Sequence, residues 1–407
     1  MLNCVHFRNR CFYYKYTNII YTRGKEMKVA VLGYGTVGYG VYEMLRNAKG
    51  LTAGPVLVRP SKVDAEFKVG SIEEIVNDPS VDAVAEVMGG IEPAFTYVSA
   101  ALKAGKHAVT SNKALVAAKG PELQAIAKEN NVAFLFSAAC GGAVPFLHNL
   151  ALAVESDEIL SVGGILNGTT NYMLDSMQRR DLSYEAALSD AQKLGYAEAD
   201  PTADVTGLDA LRKIMLACAV AYNILPADGL YNEGIDSLTA DDVSYLKSRG
   251  LTCRLLASGG KNEDGSIYAY VEPVLLESHA AECSVLNNFN MAEYNGKNSG
   301  RIVLMGQGAG RWPTASAVIR DLSDINHGRR EMMSSECIIG KADNAYCRHQ
   351  YLIRVPADCD VSIKYSECSE AYGCRYIKAD EISVKEMHDY VNSLRKAGVK
   401  VFFAAIR

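Results

Sequence analysis

The sequence predicts an α/β fold: a doubly wound parallel sheet, an α+β domain and a small βαβ-rich C-terminal module. Three observations support this prediction. A short apolar run at 28–32 leads into a glycine-rich motif and then into a helical pattern. Strand and helix patterns alternate up to about residue 160, as they do in βαβ units. Between about 237 and 290 the runs become strand-like, which is typical of an antiparallel sheet.

The composition excludes several classes of function. A net charge of -5 over 407 residues implies no surface for a nucleic acid or a membrane. No apolar run reaches the roughly 18–20 residues that a membrane-spanning helix needs. The 11 cysteines are dispersed without a CxxC pair, which fits reduced thiols and predicts a cytoplasmic protein.

The first 26 residues differ from the rest of the chain. They are basic and aromatic, and they lack the apolar segment and cleavage site of a secretory signal. A sharp strand pattern then begins at Met27. We predict that this leader is either a disordered arm or the product of a mis-assigned translation start.

The motif at 33–38 predicts a Rossmann-type dinucleotide site. Gly33 permits the tight turn, Gly35 lets the backbone approach a pyrophosphate, and Gly38 allows the helix to pack closely on the strand. Thr36 and Val37 lie in the first helical turn, where free N–H groups and the positive dipole end attract phosphates. A purely structural glycine-rich turn is the alternative.

Further cofactor contacts are predicted at the ends of the following strands. The strand at 55–58 ends at Arg59 and carries no carboxylate for a ribose 2′-OH. Arginine suits a 2′-phosphate, so NADP(H) is predicted, with NAD(H) as the alternative. Gly89, Ser111 and Lys113 follow two further strands, at whose carboxyl ends ligands bind. An ordinary surface lysine explains Lys113 equally well.

An acidic stretch at 195–213 combines carboxylates with a lysine. Glu198, Asp204 and Asp209 precede Lys213, and the helical spacing places Asp209 and Lys213 one turn apart on one face. Taken alone, such a stretch is more often a solvated loop with a surface ion pair. The helix is otherwise strongly apolar, however, so Lys213 lies near a buried face and is a candidate for a tuned acid or base.

Three other loops complete the candidate sites. Asn167 and Thr169 follow a strand at 159–166 and can cap a helix or orient a polar substrate. The small residues at 137–145 allow close backbone approach, and their carbonyl groups can hold a hard monovalent cation. The run at 303–310 feeds a helix with Pro313 in its first turn. We expect it to return to the first domain and place Gly308 near the cofactor.

Together these motifs resemble homoserine dehydrogenase. The resemblance rests on seven motifs in the family's order between 27 and about 322, which are VLGYGTVG, GGIEPA, VTSNKAL, GGAVP, LNGTTNYM, GYAEADPTADVTGLDALRK and GQGAGRWPTASAV. It implies the reversible, NAD(P)-dependent interconversion of L-aspartate 4-semialdehyde and L-homoserine. This reaction serves threonine, methionine and isoleucine biosynthesis.

The resemblance also implies roles for single residues. Lys213 falls on the family's catalytic lysine, and Lys113 falls on a second lysine near nicotinamide and substrate. Glu198 and Asp209 fall on substrate-binding residues, and Asp204 on an acidic position of the same site. The predicted substrate site also includes Asn167 and Thr169. The predicted cofactor site comprises Gly33, Gly35, Thr36, Val37, Gly38, Arg59, Gly89, Ser111, Lys113, Gly195 and Gly308.

The resemblance has three departures. The family binds sodium or a similar cation through backbone oxygens that match Ser137, Cys140, Gly142 and Val144. It usually has Glu at the first of these positions and an aliphatic residue at the second. A Na⁺ or K⁺ site therefore rests on carbonyl ligands alone. The tail at 345–407 resembles the family's regulatory ACT module, but it is short, rich in cysteine and lacks the usual opening of the first helix.

The predicted domains are the leader at 1–26, a dinucleotide-binding domain at 27–160, a substrate-binding and dimerisation domain at 161–300, a return at 301–330 and the ACT-like module at 345–407. A homodimer or homotetramer that acts on a small-molecule substrate is expected. Two alternatives remain open. One is a reductase for another amino-acid aldehyde or imine, and the other is a catalytically silent nucleotide sensor.

Overall fold

A computed structural model describes residues 26–407. The prediction for the leader therefore falls almost entirely outside the described residues. Within them, no helix combines the length and apolar character needed to cross a membrane.

The first part of the chain forms a six-stranded parallel sheet with helices between its strands. Its strands are β1 (Met27–Leu32), β2 (Leu51–Leu57), β3 (Lys68–Val69), β4 (Ala83–Glu86), β5 (His107–Thr110) and β6 (Phe134–Leu135). Its longer connections carry α1 (Thr36–Leu45), α2 (Glu73–Val76), α3 (Ala94–Lys103) and α4 (Lys113–Glu129). The apolar runs in β1 and β4 are fully or nearly fully buried, because helices cover both faces of such a sheet.

The strand order is β3-β2-β1-β4-β5-β6, so the order reverses between β1 and β4. Doubly wound sheets bind ligands in the crevice at this reversal, beyond the carboxyl ends of the strands. The glycine motif follows β1 at that position. The predicted doubly wound parallel sheet is confirmed.

The next part alternates helices with a largely antiparallel sheet. It contains α5 (Phe146–Ala153), β7 (Ile159–Ile165), α6 (Gly168–Arg180), α7 (Tyr184–Lys193), α8 (Thr202–Val205), α9 (Leu208–Tyr222), β8 (Ile224–Asp228), β9 (Tyr231–Asn232), α10 (Ala240–Ser248), β10 (Leu251–Lys261), β11 (Ile267–Glu277), β12 (Phe289–Gly296) and β13 (Gly300–Gln307). One of the strand-like runs predicted between about 237 and 290, at residues 277–286, was wrong. That segment forms a turn and a short 3₁₀ helix at Ala281–Ser284, because its alternation ends in small and charged residues that turn the chain.

The chain then returns to the first sheet through α11 (Arg311–Asn326), which packs against α1. Gly40 makes the approach close, since a Cβ there would lie 3.0 Å from Arg311 Cγ. Pro313 lies in the first turn of α11, where a missing N–H costs no helical hydrogen bond.

The C-terminal part extends the second sheet. It contains β14 (Ile338–Lys341), β15 (Arg348–Pro356), β16 (Tyr365–Ala371), β17 (Cys374–Ser383), α12 (Val384–Lys396) and β18 (Phe402–Ile406). β18 pairs in parallel with β11 and antiparallel with β15, so one ten-stranded sheet runs through both parts. Met387 and Val391 of α12 belong to a separate buried core with Ile353 and Phe403.

Between residues 348 and 407 the order is therefore three strands, one helix and one strand. The helix that would follow the first strand of a βαββαβ module is replaced by the turn between β15 and β16. The C-terminal part is thus joined to its neighbour by strand pairing. The predicted domain limits stay predictions.

Candidate active site

A carboxylate held between two lysines lies where the two sheets meet. Asp209, in the first turn of α9, places Oδ2 2.8 Å from Lys213 Nζ and Oδ1 3.0 Å from Lys113 Nζ. Lys213 lies one turn further along α9, and Lys113 is the first residue of α4, just past β5. The cluster thus joins the end of a strand in the parallel sheet to a helix of the second sheet.

The charges of Asp209 and Lys213 stabilise each other in a buried setting. Both residues are less than 10% exposed. Burial raises the pKa of Asp209, but Lys213 and Lys113 outweigh that effect and hold it well below its ordinary value. Burial lowers the pKa of Lys213, but Asp209 outweighs this and the net shift is upward. Lys213 is therefore a protonated ammonium at neutral pH, which suits a proton donor.

Asn167 connects this cluster to a second carboxylate. Its Nδ2 donates to Asp209 Oδ2 at 2.8 Å and to Asp204 Oδ1 at 2.7 Å. Its Oδ1 accepts from Thr170 N at 2.8 Å and caps α6, which fixes the amide in place. Burial raises the pKa of Asp204, and the charge of Asp209 adds to the effect.

Asn290 is a buried residue of this site that sequence reasoning missed. Its Nδ2 donates to Leu166 O at 2.9 Å, and Lys213 Nζ donates to the same oxygen at 2.5 Å. Gly308 packs directly on this amide, since a Cβ there would lie 2.1 Å from Asn290 Cγ. Little in the sequence pointed to Asn290, because it lies inside an ordinary strand pattern.

The predicted substrate residues Thr169 and Glu198 differ in their surroundings. Thr169 Oγ1 donates to Tyr196 O at 2.5 Å and so holds the loop that follows Gly195. Gly195 has a φ of +74°, and a Cβ there would meet no atom within 4 Å. Glu198 is exposed, and its carboxylate makes no ion pair within the described part of the chain. The structure does not bring it into contact with Lys213.

The glycine motif has the shape of a phosphate site. Gly33 has a φ of +104°, and Gly38 packs on it so closely that a Cβ would lie 2.1 Å from Gly33 O. Gly35 is the N-cap of α1 and has open space around it. No side chain caps this helix end, so the first-turn amides of Thr36 and Val37 remain available to a phosphate. These residues fit a dinucleotide.

The predicted specificity residue Arg59 lies near this loop. Gly33 N donates to Leu57 O at 3.1 Å, which ties the loop to the end of β2. Arg59 follows two residues later and is exposed. No ion pair engages its guanidinium within residues 26–407, so it is free to meet an added phosphate.

A buried carboxylate, Glu86, organises the other cofactor loops, and sequence reasoning missed it. It accepts hydrogen bonds from Thr110 Oγ1 and, at 2.7 Å, from Met88 N. Burial raises its pKa, and these hydrogen bonds oppose the rise. Asn112 Nδ2 donates to Gly90 O at 2.5 Å, so the loops after β4 and β5 are joined into one unit. This unit carries Gly89, Ser111 and Lys113.

The loop predicted to hold a cation is fixed by residues of α11. Ser137 N and Oγ both donate to Asp321, whose pKa burial raises to about 7. Arg320 Nη2 donates to Ala143 O at 3.3 Å, and its buried Nη1 makes no hydrogen bond. Two of the predicted ligands, the carbonyl oxygens of Ser137 and Val144, already accept N–H groups of the loop.

Arg320 already supplies a positive charge to this loop, and two of the predicted ligand oxygens already accept hydrogen bonds. The residues present therefore fit a bound Na⁺ or K⁺ poorly, and no chemical step is assigned to one. Cys140 is buried, and its pKa is raised to about 12, so its thiol remains neutral. Gly142 packs on Gly308 of the glycine-rich run at 303–310, since a Cβ on Gly142 would lie 2.7 Å from Gly308 O.

The chain is similar to known proteins over most of its length. The family described as homoserine dehydrogenase matches residues 145–323, and the NAD binding domain of homoserine dehydrogenase matches residues 33–137. The homoserine dehydrogenase of Bacillus subtilis is 37% identical over 333 residues, which are 78% of this chain and 76% of that protein. The homoserine dehydrogenase of Corynebacterium glutamicum is 40% identical over 318 residues, which are 74% and 72% of the two chains.

Solved structures agree as well. A homoserine dehydrogenase from Thiobacillus denitrificans has a TM-score of 0.82 at 29% identity. The match covers 94% of this chain and 98% of that protein. A hyperthermophilic archaeal homoserine dehydrogenase in complex with NADPH has a TM-score of 0.65 at 25% identity, with 75% and 99% covered. The two family matches and the curated relatives lead to one conclusion: this chain belongs to the homoserine dehydrogenase family.

Proposed function

We propose that the cluster of Lys113, Asp209 and Lys213 is where this enzyme interconverts L-aspartate 4-semialdehyde and L-homoserine. The observation that carries the proposal is the buried Lys213 ammonium, which Asp209 Oδ2 and Leu166 O hold at 2.8 and 2.5 Å. A fixed ammonium next to the aldehyde oxygen of the substrate stabilises the negative charge that builds up on that oxygen during reduction.

The chemistry divides between the cofactor and the chain. A reduced nicotinamide supplies the hydride that the aldehyde carbon receives. Lys213 then donates a proton from Nζ to the resulting alkoxide oxygen, and in the reverse direction it accepts that proton. Lys113 binds the other oxygen of Asp209 at 3.0 Å and so adds a second positive charge to this cluster.

The substrate also carries an α-ammonium group, which requires carboxylates. We assign it to Glu198 and Asp209, with Asp204 in the same site. Asp204 uses Oδ1 for Asn167, and Glu198 is exposed and engaged by no ion pair among residues 26–407. Asn167, the N-cap of α6, orients Asp204 and Asp209 through its amide, and Thr169 holds the loop before Glu198 through Tyr196 O.

NADP(H) is the proposed cofactor, at the site of Gly33, Gly35, Gly38 and Arg59. The exposed Arg59 guanidinium at the end of β2 and the lack of a carboxylate there support this preference. The archaeal relative was solved in complex with NADPH, which agrees.

The proposed assembly is a homodimer or homotetramer. β13 is one of the two edge strands of the second sheet, and its Val303 and Met305 are 42% and 58% exposed. An edge strand with exposed apolar side chains favours pairing with another chain. Light scattering after size-exclusion chromatography tests this, and a monomer at micromolar concentration would contradict it. A cytoplasmic location stays a prediction that rests on the cysteines.

The direct test of function is the initial rate with aspartate 4-semialdehyde and either NADPH or NADH. We expect NADPH to be oxidised and homoserine to be formed, and the loss of absorbance at 340 nm measures the rate. A folded protein that binds NADPH but turns over no substrate would instead support the silent nucleotide sensor. Turnover of other amino-acid aldehydes alone would support the alternative reductase.

A further inference from the structure

A short segment at 232–235 contacts the turn that separates two acidic residues of the site, Asp204 and Asp209. Ile235 N donates to Val205 O at 2.8 Å, and Asn232 Nδ2 donates to Thr206 O at 2.8 Å. This turn joins α8 to α9, so it lies between Asp204 and Asp209. The segment therefore holds the backbone between those two carboxylates and so fixes their separation.

The backbones of the segment and of the turn are in close contact. A Cβ on Gly234 would lie 1.9 Å from Val205 O, so only glycine fits there. Gly207 is the N-cap of α9 with a φ of +82°, and a Cβ on it would lie 3.1 Å from Glu233 O. A small displacement of the segment must therefore displace the start of α9.

The segment itself is held by α12. Glu233 is 4% exposed, and Arg395 binds its two oxygens at 2.9 and 2.6 Å. Arg395 Nη2 also donates to Val401 O at 3.4 Å, which ties the pair to the residue just before β18. A buried carboxylate without its partner is strongly unfavourable, so loss of Arg395 forces the segment to rearrange.

We propose that Arg395 and Glu233 are positioning residues for the reaction, and that α12 sets the geometry of Asp204 and Asp209 through them. The C-terminal part of the chain then belongs to the support of the substrate site and is more than an appended regulatory module. This inference rests on the proposed assignment of those carboxylates to the substrate.

The test uses the full chain with Arg395→Met, Arg395→Lys and Glu233→Gln. A misplacement of about 1 Å in a site costs roughly 10- to 100-fold, so we expect kcat/KM for homoserine to fall by that factor in Arg395→Met, mainly through KM. The dissociation constant of NADPH should stay within twofold, because the glycine motif is not touched. Arg395→Lys should recover part of the loss, and Glu233→Gln should repeat it.

The matched control is Lys396→Met, which removes a neighbouring, exposed positive charge from the same helix. We expect kinetics equal to those of the unchanged chain. An Arg395→Met enzyme within twofold of normal kcat/KM would overturn the proposal. Equal losses in substrate and NADPH binding would also overturn it, since they indicate a merely structural role.

Hydrogen–deuterium exchange separates this inference from the proposed function. In Arg395→Lys, which keeps the charge and is the variant most expected to fold, the amides of 204–208 should exchange faster than in the unchanged chain. Unchanged exchange there would overturn the positioning role even if the enzyme proves inactive on homoserine. Faster exchange in an inactive enzyme would support it and reject only the proposed reaction.

Discussion

Asp209 and Lys213 form a buried ion pair along one turn of α9, with 2.8 Å between Oδ2 and Nζ. The other oxygen of Asp209 binds Lys113 from α4, so one carboxylate aligns two ammonium groups that come from different sheets. A reaction that needs a cofactor on one sheet and an amino-acid substrate on the other requires this kind of alignment. Four predictions follow from it and from the surrounding loops.

Replacing Lys213 by Met should abolish most of the turnover while the enzyme still binds NADPH. A positioned proton donor contributes about 10²- to 10⁴-fold, so we expect kcat to fall by at least 10²-fold. Steady-state rates and NADPH fluorescence titration measure the two effects. Lys193→Met, which changes an exposed lysine on α7, should leave both unchanged. A near-normal kcat in Lys213→Met would reject the assignment.

The charge of Asp209 should set the pH range of aldehyde reduction. The reaction needs protonated Lys213, so kcat/KM falls as the pH rises through the pKa of that lysine. Asp209 raises this pKa, so Asp209→Asn should move the fall to lower pH. The rate profile between pH 6 and 11 measures the shift. Asp200→Asn, in the exposed part of the same loop, is the control, and an upward or absent shift in Asp209→Asn would contradict the prediction.

Arg59→Ala should weaken the binding of NADPH but not the binding of NADH. A hydrogen bond to a charged group contributes about 1.5–3 kcal/mol, which corresponds to roughly a 10- to 100-fold rise in KM for NADPH. Arg46→Ala, an exposed arginine after α1, is the matched control and should change neither KM. A similar rise for both cofactors would show that Arg59 supports the loop and does not distinguish the 2′-phosphate.

Local patterns predicted the parts of this molecule that depend on neighbours in sequence. The run from β1 through the glycine motif into α1 is one such part, because each residue there constrains the next. The four-residue spacing of Asp209 and Lys213 is another, and the structure has the contact that the spacing predicts. The strand predicted at 277–286 failed because polar turn residues outweigh a weak alternation.

Contacts across the sheets could not be predicted in the same way. Glu86 and Asn290 are buried polar residues inside strands, and only the fold shows that one meets Thr110 and the other Leu166 O. Glu233 and Arg395 are 162 residues apart in the sequence, so no local pattern predicts their pairing. Such residues become visible only when the partner that neutralises them is in place.

The loop at 137–145 should work without a monovalent cation. Arg320 places a positive charge at Ala143 O, and Asp321 holds Ser137, so the chain itself supplies the contacts that a cation would make. We therefore expect equal rates, within about twofold, in sodium, potassium and choline chloride at one ionic strength, where screening is the same in all three salts and only the identity of the cation differs. Arg320→Met should instead acquire a response to sodium or potassium, both in rate and in melting temperature. Stimulation of the unchanged enzyme by either ion over choline would show that carbonyl oxygens of Ser137, Cys140, Gly142 and Val144 bind a cation despite the guanidinium.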